Sequence, residues 1–131
     1  MLTAVVRLDL VDETFVVAPP ATVARVVRDP VRWRQWWPDL DLSVFQDRGE
    51  QGVRWNVRGA LAGSMEVWLQ PHGDGVIVHY YLRCDPPDGR ALRPRAARRE
   101  LRRRSRRAKQ VFWGLKDELE ANRAPGLPGG G

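Results

Sequence analysis

The chain has 131 residues, enough for one domain around a single core, and its 43% apolar content is too high for a disordered polymer. No apolar run approaches the roughly 18 residues of a membrane-spanning helix, and the opening "MLTAVVRLDLVDE" lacks the basic start and long apolar stretch of a secretion signal. Cys84 is the single cysteine, which excludes an internal disulfide and fits a reducing, cytoplasmic setting. Charge is concentrated: residues 90–109 carry eleven basic side chains against one acid, Glu100, a local balance of +10, so with +6 in total the rest carries −4.

Residues 4–18 are rich in Val, Leu and Phe and read as a long first strand, with a bulge or bend expected where alternation breaks at Asp12-Glu13. "PPATVARVVRD" reads as a short helix opened by Pro20, with Val23, Val26 and Val27 on one face. Asp29 followed by Pro30 is an N-cap and first-turn pair, so a second short helix begins at once. It carries Trp33, Trp36 and Trp37 at i, i+3, i+4 before Pro38 ends it. Residues 41–47 and 52–59 alternate as strands, and 63–71 and 75–85 form a hairpin across "HGDG". After the loop "PPDGRALRP", Pro94 opens a helix running to about Asn122. This gives a domain over residues 1–122 and a Pro/Gly-rich flexible tail over 123–131.

That last helix has two characters. Ala108, Phe112, Leu115 and Leu119 form an apolar stripe, so the second half is built to lie along a core. The first half, "RRELRRRSRRAK", is basic on nearly every face and reads as a solvated or docking surface, with Arg102, Arg103 and Arg106 its candidate contacts. An acidic protein or an anionic membrane surface suits such a run. Nucleic acid is disfavoured, because the run lacks interleaved aromatics and any recognition motif.

The order strand, two short helices, antiparallel strands, long helix, together with "FVVAPPATVARVVRDPVRWRQWWPDL", "MEVWLQPHGDGVIVHYYLR" and "KQVFWGLKDELE", resembles the SRPBCC, or START-like, superfamily over residues 4–122. Within it the chain looks like the bacterial polyketide cyclase/dehydrase, or lipid-transport-like, branch. The resemblance implies an α+β helix-grip fold, in which a curved antiparallel sheet of five to seven strands wraps the C-terminal helix. It also implies a cavity between sheet and helix for a lipid, polyketide or aromatic metabolite. Only five clear strands are present, six if the first bends, so the cavity is expected to be small or completed by a second copy in a homodimer.

For such a ligand Trp36, Trp55, Trp68 and Trp113 are candidate walls, with Phe112 beside them. Register decides which face of the hairpin points inward. One choice brings Glu66, His79, Tyr81 and Arg83 inside with Trp68; the other leaves Ile77 and Trp68 exposed, which favours the first. In that arrangement Arg83 and Tyr81 would anchor the ligand. In the alternative that the resemblance implies, an aldol cyclase, His79 would be the base, Glu66 its orienter, and Arg83 and Tyr81 donors to the enolate oxygen. An acyl carrier protein docked on the arginines would then supply substrate. No cofactor is implied. A metal site is disfavoured because the only histidines, His72 and His79, fall on a turn and a strand.

Overall fold

The structure, a computed structural model, describes residues 7–87 and 92–121. The expected start of the first strand at residue 4, the helix end at Asn122, the 123–131 tail and part of the loop before the last helix lie outside the described residues. The elements follow in the order β1 (Leu8–Val16), α1 (Pro20–Val27), α2 (Pro30–Trp36), β2 (Leu40–Asp47), β3 (Gly52–Gly59), β4 (Ala62–His72), β5 (Gly75–Asp85) and α3 (Pro94–Glu120), with a 3-10 turn at Gly49–Gln51.

The five strands form one curved antiparallel sheet in the order β1-β5-β4-β3-β2, and α3 lies against it with the two short helices at one end: the helix-grip arrangement. At the β4–β5 hairpin Gly73 takes φ +56° in a two-residue loop that pairs His72 with Gly75. At Gly52, φ is +116° and an added Cβ would collide with the Val67 carbonyl, so the strand start accepts only glycine.

Two local expectations are corrected. β1 pairs with β5 without interruption from Leu8 to Val16. Alternation looked broken at Asp12 because Asp12 and Thr14 face inward, where both are buried. Lys109 Nζ neutralises the carboxylate at 2.6 Å and the Thr14 hydroxyl donates to it at 3.2 Å. The register shift falls instead in β2, between Val44 and Gln46, on an edge strand with Phe45 exposed.

The second correction concerns the hairpin. Met65, Val67 and Leu69 on β4 and Val76, Val78, Tyr80 and Leu82 on β5 face the core. Glu66, Trp68, His79, Tyr81 and Arg83 therefore lie on the outer face. The wholly apolar set wins the interior because burying the mixed set would strip water from three ionisable groups. The rings left outside cover one another: Trp68 stacks on His79 at 4.5 Å and His79 on Tyr81 at 6.4 Å, so His79 is buried although it faces away from α3.

Between sheet and helix the space is filled. Trp37 stacks on Tyr80 (5.7 Å, 7°), Tyr80 meets Phe112 at 5.3 Å, and Trp55 stands edge-on to Trp33 at 5.2 Å and tilts against Trp37 at 5.8 Å. Trp37, Trp55, Tyr80 and Phe112 are each no more than 1% exposed. The Tyr80 hydroxyl points at Met65 Sδ, 3.1 Å away, and burial pushes its pKa far upward. The Trp55 indole N–H is buried without an acceptor among the described residues. Among the described residues, Val11, Val31, Val44 and Trp113 are the other large apolar side chains left exposed.

Because Trp37 fills the middle of the domain, Trp37→Ala is expected to lower unfolding free energy by about 3–5 kcal/mol. Trp68→Ala, which removes only an outer stack, should cost about 1–1.5 kcal/mol. Urea unfolding of the two variants checks this ranking; a larger loss for Trp68→Ala would place the packing centre on the wrong face.

Candidate functional site

Where α2 ends, the chain turns sharply through Trp36, Trp37, Pro38 and Asp39 and runs into β2. Asp29 caps α2 by accepting from the Val31 N–H at 2.9 Å, and the Trp33 indole donates to the Val27 carbonyl at 2.6 Å, fixing α2 against α1. The first half of α3 lies beside this corner. Arg107 donates from Nε to the Trp36 carbonyl and from Nη2 to the Gln35 carbonyl, both at 2.7 Å, satisfying acceptors that the end of α2 leaves open.

Arg104 makes the stronger link. Only 4% exposed, it places Nη1 and Nη2 on the two Asp39 oxygens at 3.0 and 2.6 Å and Nε on Glu100 at 2.8 Å. Arg103 bonds Glu100 and Asp39 from the solvent side. Hydrogen bonds from Arg104 hold the Asp39 carboxyl below its usual range. Burial works to raise Glu100, and the bonds from Arg103 and Arg104 outweigh it. Burial likewise opposes the Arg104 charge, and its two carboxylates more than restore it.

Arg104 was hidden by composition. Ala97, Leu101, Arg104 and Ala108 continue the spacing of the apolar stripe, and Ala97, Arg104 and Ala108 are buried with Leu101 packed against the core. The core-facing stripe therefore runs into the basic half of α3, contrary to the division expected from sequence. A residue-by-residue spacing test, ignoring charge, would have singled out Arg104.

Between α2 and α3 lies a solvent-open groove of about 830 Å³ lined by Trp36, Pro38, Asp39, Gln110 and the arginines 99, 102, 103, 104, 106 and 107. With Arg103, Arg104 and Arg107 committed to internal partners, Arg99, Arg102 and Arg106 keep their donors unpaired among the described residues. An apolar cleft of about 320 Å³, with Leu61, Pro86, Leu92 and Ala96 in its wall, shares Arg99 and Arg103 with the groove. Cationic donors, an indole and an adjoining apolar cleft are thus contiguous.

The expected wall residues are dispersed. Trp36 lines the groove while remaining 91% covered. Trp55 and Phe112 belong to the packed interior, Trp68 to the outer face, and Trp113 stands exposed on α3. The expected Glu66–His79 network does not form: Glu66 pairs with Arg48 at 3.1 Å and with Arg54 at 3.8 Å, and Arg83 with Asp9 at 3.2 Å. His79 Nε2 faces the Gln70 side-chain oxygen at 2.8 Å; its Nδ1 lies 3.2 Å from Glu13 but out of line for a hydrogen bond. No base and orienter converge on the interior. Cys84 is buried, with its thiol pushed up to about 11, mainly by burial. Of the docking candidates, Arg102 and Arg106 are exposed and unpaired among the described residues, whereas Arg103 is engaged by Glu100 and Asp39.

The chain matches no protein-family profile and no curated protein sequence. Solved structures share its fold. The Aha1 dimer from Colwellia psychrerythraea superposes with a TM-score of 0.64 at 11% identity, covering 88% of this chain and 98% of that one. The Mll3558 protein from Rhizobium loti gives 0.66 at 17% identity over 89% and 100%. Ara h 8.0201 gives 0.53 at 12% identity over 88% and 99%. The likeness establishes the fold alone, the helix-grip arrangement expected from the sequence. No described helix is long and apolar enough to cross a membrane.

Arg104→Ala should lower stability by about 2–3 kcal/mol at neutral pH, less than for a fully buried pair because Asp39 is 37% exposed and retains Arg103. Asp39 and Glu100 have folded-state pKa values below their ordinary 3.8 and 4.5, so their contribution is complete above that range and fades as pH falls through the lower folded values. The wild-type-to-variant gap should therefore narrow below about pH 4. Urea unfolding between pH 2 and 7 checks this, and a gap independent of pH would contradict it.

Proposed function

We propose that this domain binds a small molecule that joins an anionic group to an apolar or aromatic body, and that it does so in the groove between α2 and α3. One observation carries the reading: Arg99, Arg102 and Arg106 line a single concavity with their donors unpaired among the described residues, while the neighbouring Arg103, Arg104 and Arg107 are tied down. Guanidiniums with fixed neighbours and open donors suit carboxylate or phosphate, which they grip through two parallel bonds. The groove volume falls within the range of small-molecule sites. Trp36 offers an indole surface to the body of the ligand, and the cleft beside Leu61 and Leu92 offers it an apolar extension.

The superfamily resemblance suggests carriage of hydrophobic molecules, and this reading keeps that class while moving the site. The sheet–helix interior is occupied by Trp37, Trp55, Tyr80 and Phe112, so a ligand there would have to displace buried rings. The groove requires no such rearrangement. Carriage, rather than turnover, fits a site whose functional groups are guanidiniums that stay charged at any physiological pH and cannot serve as a general base.

Calorimetric titration with 1-naphthyl phosphate, using 1-naphthol as the uncharged control, tests this. The phosphate should bind at least tenfold more tightly than the naphthol, and the Arg102→Gln, Arg106→Gln double variant should lose at least tenfold in affinity with unchanged thermal stability. Equal binding of the two probes, or full affinity in the double variant, would refute the groove as the site.

A further inference from the structure

Beyond the groove, we infer that the solvent face of α3 is a docking surface for a bilayer rich in anionic lipid, with Trp113 as its interfacial anchor. On a helix with 3.6 residues per turn, Arg95, Arg98, Arg102, Arg106 and Trp113 follow at spacings of 3, 4, 4 and 7 and share one side. All five are exposed, and the four arginines have no partner among the described residues. The stripe is about 27 Å long at 1.5 Å per residue. Between Arg95 and Trp113 the helix carries a single acid, Glu100, which is turned away and consumed by Arg103 and Arg104; its other acids, Asp117, Glu118 and Glu120, follow Trp113. From Arg95 to Arg106 the stripe is therefore purely cationic, and the core side of the same helix holds it in place along its length through Ala97, Ala108, Phe112, Leu115 and Leu119.

Trp113 decides the partner. It is 57% exposed on a helix whose other large apolar side chains are buried or packed against the core, and it continues the arginine line. Lys109 Nζ lies 5.6 Å from its ring and is itself pinned to Asp12, so the indole sits against a fixed cation with its other side open. An indole at the rim of a cationic stripe suits the headgroup boundary of a bilayer, where aromatic rings with one polar edge concentrate and guanidiniums meet lipid phosphates. Duplex DNA would satisfy the arginines through its phosphates but offers no apolar boundary for Trp113. Docking on this face would lay α3 flat on the membrane. Arg102 and Arg106 also line the groove, whereas Arg95, Arg98 and Trp113 lie outside it, so variants at those three separate this inference from the small-molecule reading.

Vesicle co-sedimentation of the full chain tests it, with vesicles of phosphatidylglycerol and phosphatidylcholine compared with phosphatidylcholine alone. The wild type should bind the anionic vesicles selectively and lose most of that binding at 0.5 M salt, since exposed charges are then screened. Each arginine contributes about fivefold near an anionic surface. Arg95→Gln, Arg98→Gln should therefore lower the partition coefficient by more than tenfold, and Trp113→Ala should lower it severalfold, both without changing naphthyl phosphate affinity. Absence of binding to anionic vesicles at low salt would overturn the inference. So would binding that ignores all three substitutions, or tighter binding to a duplex oligonucleotide that is insensitive to Trp113→Ala.

Discussion

A guanidinium that is 4% exposed must find its counter-charges inside the protein, and Arg104 finds them in Asp39 and Glu100. That requirement joins two parts of the chain some sixty-five residues apart. Asp39 closes the "WWPDL" corner, so pairing it with α3 draws the ends of α2 and β2 onto the helix. The corner then sets Trp37 flat against Tyr80 and turns Trp36 toward the α2–α3 groove. Arg107 braces the same corner through two carbonyls. With Arg103, Arg104 and Arg107 facing inward or sideways, helical spacing leaves Arg99, Arg102 and Arg106 pointing out. The buried ion cluster therefore determines both what fills the interior and which cations remain free.

The consequence for function is that the proposed site lies outside the sheet–helix interior. A five-stranded sheet has little depth to enclose a ligand, and here buried tryptophan rings pack that depth closed. Trp33, Trp37 and Trp55 do so directly, with Tyr80 and Phe112. The proposed binding chemistry lies instead on the outside of the same corner, where one wall is the basic half of α3. The second half of that helix is tethered to β1 by Lys109 on Asp12, Lys116 on the Phe15 carbonyl and Glu120 on the Val17 N–H. Both walls of the groove thus rest on rigid elements, which favours a site that binds without reshaping.

Much of the architecture was legible in the sequence. Asp29-Pro30 and Pro38 bracket α2, Pro20 and Pro94 open α1 and α3, and "HGDG" turns the hairpin, because prolines, caps and glycines act locally. What depended on tertiary pairing was not legible. The inward Asp12 looked like a break in β1 because its partner, Lys109, lies on α3. The hairpin faces were misassigned because stacking of Trp68, His79 and Tyr81 relieves the exposure that seemed prohibitive. Arg104 was counted among solvated arginines because only Asp39, far away in sequence, makes its burial tolerable. The candidate site shifted for the same reason: Trp36 and Arg102, Arg106 were identifiable one by one, but the groove uniting them exists only once Arg104 has docked.

The most direct test of this account is a two-dimensional proton–nitrogen spectrum of the labelled protein during titration with 1-naphthyl phosphate, with the indole N–H signals assigned. The Trp36 indole and the backbone amides of residues 99–107 should shift together and saturate at one ligand per chain, while the Trp37 and Trp55 indoles stay in place. Shifts concentrated on Trp37 and Trp55, with the α3 amides unmoved, would mean that the ligand enters between sheet and helix and that the groove is not the site.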